Sequence, residues 1–416
     1  MPNELNVQAD LAADTVVAAE GASRPIKSRT AILVIHGIGE QMPYATLDQF
    51  ARGFVNYLTP DSSPDQSTTW PYTLTQQATY ADNDRGCDFC LRLTHTQASQ
   101  GYLDLHEYYW AFQTEKQTTL SEIGDWLSDT LTSFRQHYKE DSDLSQAYEK
   151  RNASRKVNKL NWLRYGVWVW RLGQVGDALI SWLPTGILRW LRSVAEKLFP
   201  AKLVTDYVGD VVIYTNTDRK SRFYGIRDTI LREAQKKLLT LLHDEGYDQV
   251  LVVGHSLGTV IGYDVLNRLD LMCNFNVNKD VKANLGKLKA FVTFGSPLDK
   301  VYFFLREQTG EGEYIRRQLL GNLRLFRKLP PKQGKPISTD PSVSTGPPLA
   351  SLLPNLPDWA NFYHDNDDIS GHLDFYLDVN NIEAKFADPL DNKWYRAHSG
   401  YWTHKPLYQK LLKYVL

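Results

Sequence analysis

The sequence predicts an α/β fold built on a doubly wound, mainly parallel sheet. Apolar runs rich in β-branched residues, at 30–35, 249–254 and 289–295, each end at or beside a glycine, which is typical of buried parallel strands. Segments with helical periodicity separate these runs. Because strands that alternate with helices usually pair in parallel, the pattern indicates one mainly parallel sheet.

The first predicted unit is a strand, a glycine turn and a helix. The strand TAILVI ends at His36-Gly37, and residues 45–58 place apolar side chains at helical spacing, namely Leu47, Phe50, Phe54 and Leu58. Three runs rich in β-formers follow between 72 and 112, separated by polar turns. We expect two of them to form a hairpin and the third, LDLHEYYW, to return to the sheet.

The later predicted elements lead into loops with polar and charged residues. A helical pattern, ILREAQKKLLTLL, passes through a turn at 243–248 into the strand QVLVVG. KAFVTFG predicts the next strand, and WANFY at 359–363 predicts a short strand that ends in an Asp-rich loop. A last helical pattern, KPLYQKLLKYVL, follows at 405–416.

The length of 416 residues allows two or three average domains, but we expect one domain with insertions. Residues 1–29 lack the unbroken apolar core of a signal peptide and are expected to be disordered or frayed. The core is assigned to 30–114 and 211–416. Within this scheme 115–210 is a helical, cap-like insertion, and 330–357, rich in Pro, Ser, Thr and Gly, is an irregular surface insertion.

Composition argues against several classes of function. With 47 basic and 48 acidic side chains, no global field draws the chain to nucleic acid, and no glycine motif for nucleotides is present. Three cysteines are too few for a disulfide framework and indicate a reducing, cytoplasmic location. Cys87 and Cys90 form a lone C-x-x-C whose side chains point to opposite faces of a strand, so we expect no metal, and no other cofactor either.

The segment VVGHSLGTVIG carries the strongest chemical signal. Gly254-His255-Ser256-Leu257-Gly258 matches G-x-S-x-G, in which a serine lies on a sharp turn between a strand and a helix. The glycines two residues before and after the serine let the strand and the helix approach closely. Ser256 is therefore the predicted nucleophile, at the carboxyl edge of the sheet.

A serine nucleophile needs a general base, and the base needs a carboxylate that holds its tautomer. Where a strand–turn–helix carries the serine, the chain order is serine, acid, histidine. His364 and His372 lie too close to the expected acid loop. His398, in a polar loop before the final helix, is the predicted base, and His404 is the alternative.

The acid is expected in a loop that follows a strand beyond the nucleophile strand. YHDNDDIS, directly after WANFY, supplies Asp367 as the first choice and Asp368 as the second. Asp299, after KAFVTFGSPL, is the third. The interval from Asp367 to His398 leaves room for one more strand and helix, although DNDDIS is also suited to Asx turns, which leaves a structural role open.

Acyl transfer also needs two N–H donors for the developing oxyanion. The backbone N–H of Leu257 is one candidate, since it follows the nucleophile at a helix start. The second is expected from the loop His36-Gly37-Ile38-Gly39, through the N–H of Ile38. His36 itself is expected to be a structural hydrogen-bonding residue and not a second base.

These motifs resemble those of the α/β-hydrolase superfamily, in its serine esterase and lipase branch. VIHGIG is similar to the oxyanion loop of that family and VVGHSLG to its nucleophile elbow, while WANFYHDNDDIS and AHSGYW are similar to its acid and base loops. The resemblance covers about 30–60 and 225–416. It implies a serine hydrolase that cleaves a carboxylic ester, with an acyl-lipid or other hydrophobic substrate. The family often has Asp-Pro in the acid loop where this chain has Asp367-Asp368, so the choice of acid stays open.

Other interpretations remain beside this one. The same residues would support acyl transfer or the hydrolysis of a thioester or amide, and a catalytically silent scaffold for binding or membrane association is the alternative outside enzymes. Residues 160–199 combine Trp with Arg, which suits either a cap packed on the core, the preferred interpretation, or a peripheral membrane contact. The sequence does not predict the oligomeric state.

Overall fold

The structure is a computed structural model that describes most of the predicted core. It describes the following residues: 25–38, 42–59, 71–80, 87–96, 101–115, 117, 210–214, 219–274, 284–298, 357–367, 369–373, 376, 378–386 and 394–416. Residues 1–24 and nearly all of the two predicted insertions, 115–210 and 330–357, lie outside them. The Trp-rich stretch 160–199, with its cap and membrane-contact hypotheses, also lies outside them.

Eight strands form one sheet. They are β1 (Arg29–Ile35), β2 (Tyr72–Tyr80), β3 (Cys87–His95), β4 (Tyr102–Tyr108), β5 (Gln249–His255), β6 (Leu288–Phe294), β7 (Asp358–Tyr363) and β8 (Val379–Glu383). Their order across the sheet is β2-β3-β4-β1-β5-β6-β7-β8. All neighbours from β4 to β8 pair in parallel, and only β3, beside the edge strand β2, runs antiparallel to its neighbours.

Helices follow the parallel strands β1, β4 and β5 along the chain, and two more follow β8. They are α1 (Ala45–Leu58), α2 (Arg222–His243), α3 (Leu257–Asn274), the short α4 (Trp394–Ala397) and α5 (Lys405–Leu412). The alternation of strands and helices confirms the predicted α/β class with a mainly parallel sheet. None of the helices in the described ranges is both long and apolar enough to cross a membrane.

The predicted strands agree with the structure to within one residue at each end, except that β4 ends at Tyr108, two residues before the end of the run LDLHEYYW. The two β-rich runs form the hairpin β2–β3, and LDLHEYYW contributes β4, which pairs in parallel with β1 through Ile32 and Leu105. Strand β8 and helix α4 occupy the interval that the sequence left for one more strand and helix. Helix α2 begins at Arg222 and not at Ile230, because Ser221 caps it by accepting the N–H of Phe223 at 3.2 Å.

The sheet is covered on both faces because alternate residues of a strand point in opposite directions. On β1, Leu33 and Ile35 belong to a core with α2 and α3, whereas Ile32 and Val34 belong to a second core with α1 and α5. All four side chains are at most 1% exposed. An apolar strand without polar alternation therefore marks the middle of a sheet between two helical layers, as TAILVI predicts.

The loop between β1 and α1 is held at its far end by a buried carboxylate. Tyr44 precedes α1 with a φ of 65° and has no side-chain capping bond. Its N–H donates to Oε2 of Glu107, on β4, at 2.6 Å. The Glu107 carboxylate thus lies at the positive end of the helix dipole, although its burial raises its pKa. Strand β4 therefore fixes where the chain enters α1.

Candidate active site

Ser256 occupies a strained turn between β5 and α3. Its φ of 51° lies in the left-handed region, which non-glycine residues seldom adopt. The strain is tolerated because the surroundings fix the turn: a Cβ on Gly254 would lie 2.7 Å from Cα of Thr259, and a Cβ on Gly258 would collide with the carbonyl oxygens of Ile35 and His36. The two glycines of G-x-S-x-G are thus required by close backbone contacts.

Hydrogen bonds join the turn to the end of strand β6. The N–H of Ser256 donates to the carbonyl oxygen of Phe294 at 3.2 Å. The hydroxyl of Thr259 donates to the carbonyl oxygen of Ser256 at 2.7 Å and lies 2.8 Å from the hydroxyl of Ser296. Thr259 and Ser296 are both fully buried. Ser256 is therefore held through its backbone, and its side chain is only slightly exposed.

Asp367 and His398 form a hydrogen-bonded pair. Oδ2 of Asp367 lies 2.9 Å from Nδ1 of His398, and the two side chains are 1% and 19% exposed. The same oxygen accepts the hydroxyl of Tyr401 at 3.0 Å, and Oδ1 accepts the N–H of Ile369 at 2.9 Å. Since carboxylate oxygens only accept, Nδ1 of His398 carries a proton, and the nitrogen that can accept a further proton is Nε2.

Nε2 of His398 is buried and has no hydrogen-bond partner among the described residues. The ring lies against the turn after β6, where Gly295 has a φ of 60° and a Cβ would lie 3.0 Å from Cε1 of His398. A side chain at 295 would therefore displace the ring. His398 is the one histidine of the described site that combines a carboxylate partner with an open nitrogen.

The structure shows no hydrogen bond between Ser256 and His398, but the residue next to Ser256 lies against His398. The ring of His255, the residue before Ser256, lies 4.8 Å from the ring of His398, measured between centroids. Serine–histidine bonds are often loose without substrate and tighten when it binds. The arrangement therefore contains a held serine, an imidazole with an open nitrogen and a carboxylate, in the chain order that the sequence predicts.

The predicted oxyanion loop lies directly against the serine. A Cβ added to Gly37 would lie 2.7 Å from Cβ of Ser256, so only glycine lets the loop approach this closely. Among the described hydrogen bonds, none uses the N–H of Ile38 or of Leu257 as a donor. The N–H groups of Ile38 and Leu257 therefore stay the predicted oxyanion donors.

His36 holds this loop through hydrogen bonds and a ring contact. Its Nε2 accepts the N–H of Trp110 at 2.9 Å, and its Nδ1 lies 2.7 Å from the carbonyl oxygen of Gly37. Its ring also stacks on Trp110, with 4.9 Å between centroids. Burial lowers the pKa of His36 to about 4. With both nitrogens bonded, His36 supports the predicted oxyanion loop and offers no base to Ser256.

The alternative residues have other surroundings. His404 packs beside Phe362 and Phe386, and burial lowers its pKa to about 4. His364 stacks on Phe386 and accepts the N–H of Asn366 with Nδ1 at 3.0 Å. Of the three acid candidates only Asp367 is described, and the structure pairs it with His398. Asp368 and Asp299 lie outside the described residues.

Three residues near this pair were not predicted from the sequence. Tyr401 donates to Asp367, Gly295 makes room for His398, and Nε2 of His255 lies 3.1 Å from the backbone oxygen of His398. The tyrosine lies in AHSGYW and the glycine at the end of KAFVTFG, so both were inside quoted motifs. Nothing in the sequence indicates their contacts, because these join segments far apart in the chain.

A second histidine–carboxylate group lies beside strand β4, and we call it the Asp104 network: Arg92, Asp104, His106 and Tyr247. Arg92 binds Asp104 through two N–H groups at 2.7 and 2.8 Å. Tyr247 donates to Asp104 at 2.8 Å, and Nε2 of His106 lies 2.9 Å from the Tyr247 hydroxyl. Network side chains other than Arg92 are almost fully buried.

Buried Cys90 lies next to this network. Ligand atoms of Cys90, Asp104 and His106 are within 4.8 Å of one another, which is a spacing that a metal ion could use. The donor set does not fit a cation, because the charge of Asp104 is already neutralised by Arg92 and burial raises the pKa of the Cys90 thiol to about 12. Asp104 and His106 lie on β4, so the spacing of Cys87 and Cys90 in the sequence gives no sign of this group.

Comparison of the chain with protein-family models, with curated proteins and with solved structures found no match in any of the three. The proposed function therefore rests on the geometry of the site. We call the group formed by Ser256, His398 and Asp367, with the Ile38 and Leu257 amides, the Ser256 site.

Proposed function

We propose that the chain is a serine hydrolase of the α/β-hydrolase type that cleaves a carboxylic ester through an acyl-enzyme. One observation carries the proposal: the strained Ser256 and the Asp367–His398 pair meet at the same edge of the sheet, and Nε2 of His398 is open. Nε2 of His404 is also buried without a partner among the described residues, so the open nitrogen supports the assignment of His398 because a carboxylate holds the same ring at Nδ1. The strand–turn–helix that carries the serine supports the family assignment.

In the first half of the reaction, Oγ of Ser256 attacks the ester carbonyl carbon while Nε2 of His398 takes the hydroxyl proton. Asp367 holds the tautomer that leaves Nε2 free and stabilises the imidazolium that forms. The amides of Ile38 and Leu257 donate to the carbonyl oxygen as it becomes negative. The tetrahedral intermediate then collapses, the carbon–oxygen bond of the alcohol breaks, and His398 returns the proton to the departing alkoxide.

In the second half, water replaces the alcohol. His398 removes a proton from the water, whose oxygen attacks the acyl carbon, and the same two amides stabilise the second oxyanion. The bond from the acyl carbon to Oγ breaks, and the proton returns from His398 to Ser256. The products are a carboxylic acid and the free enzyme, and no step uses a cofactor. We propose an acyl-lipid or other hydrophobic ester as the substrate class, on the resemblance to esterases and lipases.

Labelling of the full chain with a fluorophosphonate probe tests the proposal. We expect the wild type to be labelled, Ser256→Ala to be unlabelled, and His398→Ala to be labelled at least about 10³-fold more slowly. Absence of labelling in the folded wild type would refute the hydrolase assignment. Labelling that survives Ser256→Ala would place the nucleophile elsewhere.

Two matched variants control for a nonspecific loss of labelling. Ser399→Ala removes an exposed serine next to His398 whose hydroxyl donates to the carbonyl oxygen of Arg396, and it should be labelled like the wild type. His404→Phe replaces the alternative base with a ring of similar shape among Phe362 and Phe386. It should retain labelling, whereas loss of labelling in a folded His404→Phe protein would reopen the choice of base.

The substrate class needs a separate measurement. Hydrolysis of p-nitrophenyl esters with acyl chains of increasing length would distinguish a short-chain esterase from an enzyme for hydrophobic acyl groups. A maximum of kcat/KM at long chains supports the proposed substrate class. A maximum at acetate, with labelling of Ser256 intact, would keep the hydrolase and reject the hydrophobic substrate.

A further inference from the structure

His255 lies between the predicted nucleophile and the base. Its ring is partly buried, stacks on Phe294 at 5.0 Å and lies 4.9 Å from the indole of Trp402, measured between centroids. On its other side the ring of His398 is 4.8 Å away, tilted by 35°. Three aromatic neighbours thus confine the imidazole to one orientation.

The hydrogen bond of His255 defines its tautomer. Nε2 lies 3.1 Å from the backbone carbonyl oxygen of His398, which can only accept, so Nε2 carries a proton. Burial, followed by the influence of a positive charge on His398, lowers the pKa of His255 to about 3, so the ring is neutral and Nδ1 carries no proton. Nδ1 faces the oxyanion loop, since a Cβ on Gly37 would lie 3.1 Å from it.

His398 is therefore held at two points by different residues. Asp367 binds the side chain at Nδ1, and His255 binds the main chain at the carbonyl oxygen. The bond from Asp367 to the side chain would not be enough by itself. The loop before the 3₁₀ turn Gly400–Thr403 could then still shift and move the ring relative to Ser256. Because His255 is covalently joined to Ser256, its hydrogen bond links the loop of the base directly to the backbone of the nucleophile.

We propose that His255 is a positioning residue that sets the distance between Ser256 and His398 through its Nε2–H bond to the His398 carbonyl. The proposal rests on the serine hydrolase function proposed above. In this chain the first variable position of G-x-S-x-G therefore needs a side chain with an N–H donor that reaches the loop of His398. His255 itself takes no proton during the reaction.

Two substitutions separate the donor from the ring. His255→Gln keeps an N–H donor at about the position of Nε2 and removes the ring, whereas His255→Phe keeps an aromatic ring and removes the donor. With p-nitrophenyl acetate we expect His255→Phe to lower kcat about 10-fold with KM changed less than about 2-fold, and His255→Gln to retain kcat within about 3-fold. Equal activity of His255→Phe and wild type would overturn the proposal, as would an equal loss in both folded variants.

A measurement on the wild type keeps the proposal testable if His255→Phe does not fold. The ¹⁵N chemical shifts of the His255 ring at neutral pH should show a protonated Nε2 and an unprotonated Nδ1, and the Nε2 proton should exchange slowly with solvent. The opposite tautomer would overturn the proposal. Fluorophosphonate labelling of the same sample distinguishes the two failures: a labelled enzyme with the wrong tautomer loses only the role of His255, and an unlabelled enzyme loses the proposed function.

Discussion

The Ser256 site and the Asp104 network contain the same chemical groups, a carboxylate, a histidine and a hydroxyl, but they differ in what is left unbonded. In the network both oxygens of Asp104 are bonded, and the Tyr247 hydroxyl is bonded to Asp104 and His106. At the Ser256 site Nε2 of His398 is buried without a partner. The ring that carries this nitrogen is held at Nδ1 by Asp367, and that combination of a held ring and an open nitrogen is what a general base requires.

The Asp104 network and the Ser256 site also differ in their position in the sheet. Asp104 lies opposite Ala31 in the amino-terminal half of β1, and Tyr247 lies two residues before the start of β5. Ser256, in contrast, follows the carboxyl end of β5, where parallel strands of an open sheet present their ligand-binding loops. The network joins strands to each other, whereas the Ser256 site lies where loops from β1, β5 and β6 and the segment after β7 meet.

Replacing the two carboxylates should give the largest contrast. Asp367→Asn should lower kcat by about 10³- to 10⁴-fold because the wrong His398 tautomer is favoured, with little change in unfolding free energy. Asp104→Asn should instead lower the unfolding free energy by about 2–3 kcal/mol, since it leaves Arg92 without its charge partner and Arg92 is only partly exposed. Ester hydrolysis and urea unfolding of both variants check this. A stable Asp104→Asn protein that has lost activity would contradict the division.

The next largest loss of kcat is expected when the predicted oxyanion loop is moved away from Ser256. In Gly37→Ala the new Cβ would lie 2.7 Å from Cβ of Ser256, so the loop must move away from the serine. We expect kcat to fall about 10²-fold as the Ile38 amide is displaced. Gly225→Ala is the matched control, because a Cβ there meets nothing within 4 Å on an exposed face of α2. That variant should keep full activity and gain about 0.5–1 kcal/mol of stability.

A smaller effect is expected at the hydroxyl that orients Asp367. Tyr401→Phe removes one of the donors to Oδ2 and leaves the bonds to His398 and Ile369, so kcat should fall about 10-fold. Tyr408→Phe removes a comparable buried bond, from the Tyr408 hydroxyl to the carbonyl oxygen of Trp402 at 2.7 Å. It should lower the melting temperature without changing kcat. Equal kcat losses in the two variants would show that general loosening, and not orientation of Asp367, causes the effect.

The smallest effect is a change in the pH dependence of stability. Burial lowers the pKa of His106 from 6.5 to about 4, so below pH 6.5 the unfolded chain binds a proton that the folded chain does not. The stability is full above pH 6.5 and is lost as the pH falls towards 4. In His106→Gln the slope of unfolding free energy against pH between these values should decrease by up to about 1.4 kcal/mol per pH unit.

His243→Gln is the control for that slope, since it removes an exposed histidine at the end of α2. Chemical unfolding at several pH values between 4 and 7 provides the measurement. A slope in His106→Gln that matches the wild type would mean that His106 is not held neutral by the fold. The Asp104 network would then be more open to water than its burial indicates.

Much of the core could be predicted because it depends on local patterns. The runs TAILVI, QVLVVG and KAFVTFG are mostly apolar, and such short runs beside a glycine are typical of strands that are buried on both faces of a sheet. The turn at Ser256 could be predicted because its glycines meet backbone atoms only a few residues or one strand away. The early start of α2 was not predicted, although its cap is a local contact between Ser221 and the N–H of Phe223.

The sequence by itself determined the serine, the strand–turn–helix that strains it and the order in which acid and base follow, because periodicity and glycine spacing act over short distances. Only the tertiary structure paired Asp367 with His398, placed Gly37 against Ser256 and brought His255 to the His398 carbonyl. These contacts join residues from four separate loops, and their distances depend on how strands β1, β5, β6 and β7 pair in register. Register is a property of the assembled sheet, since side-chain periodicity within one strand does not specify its partner.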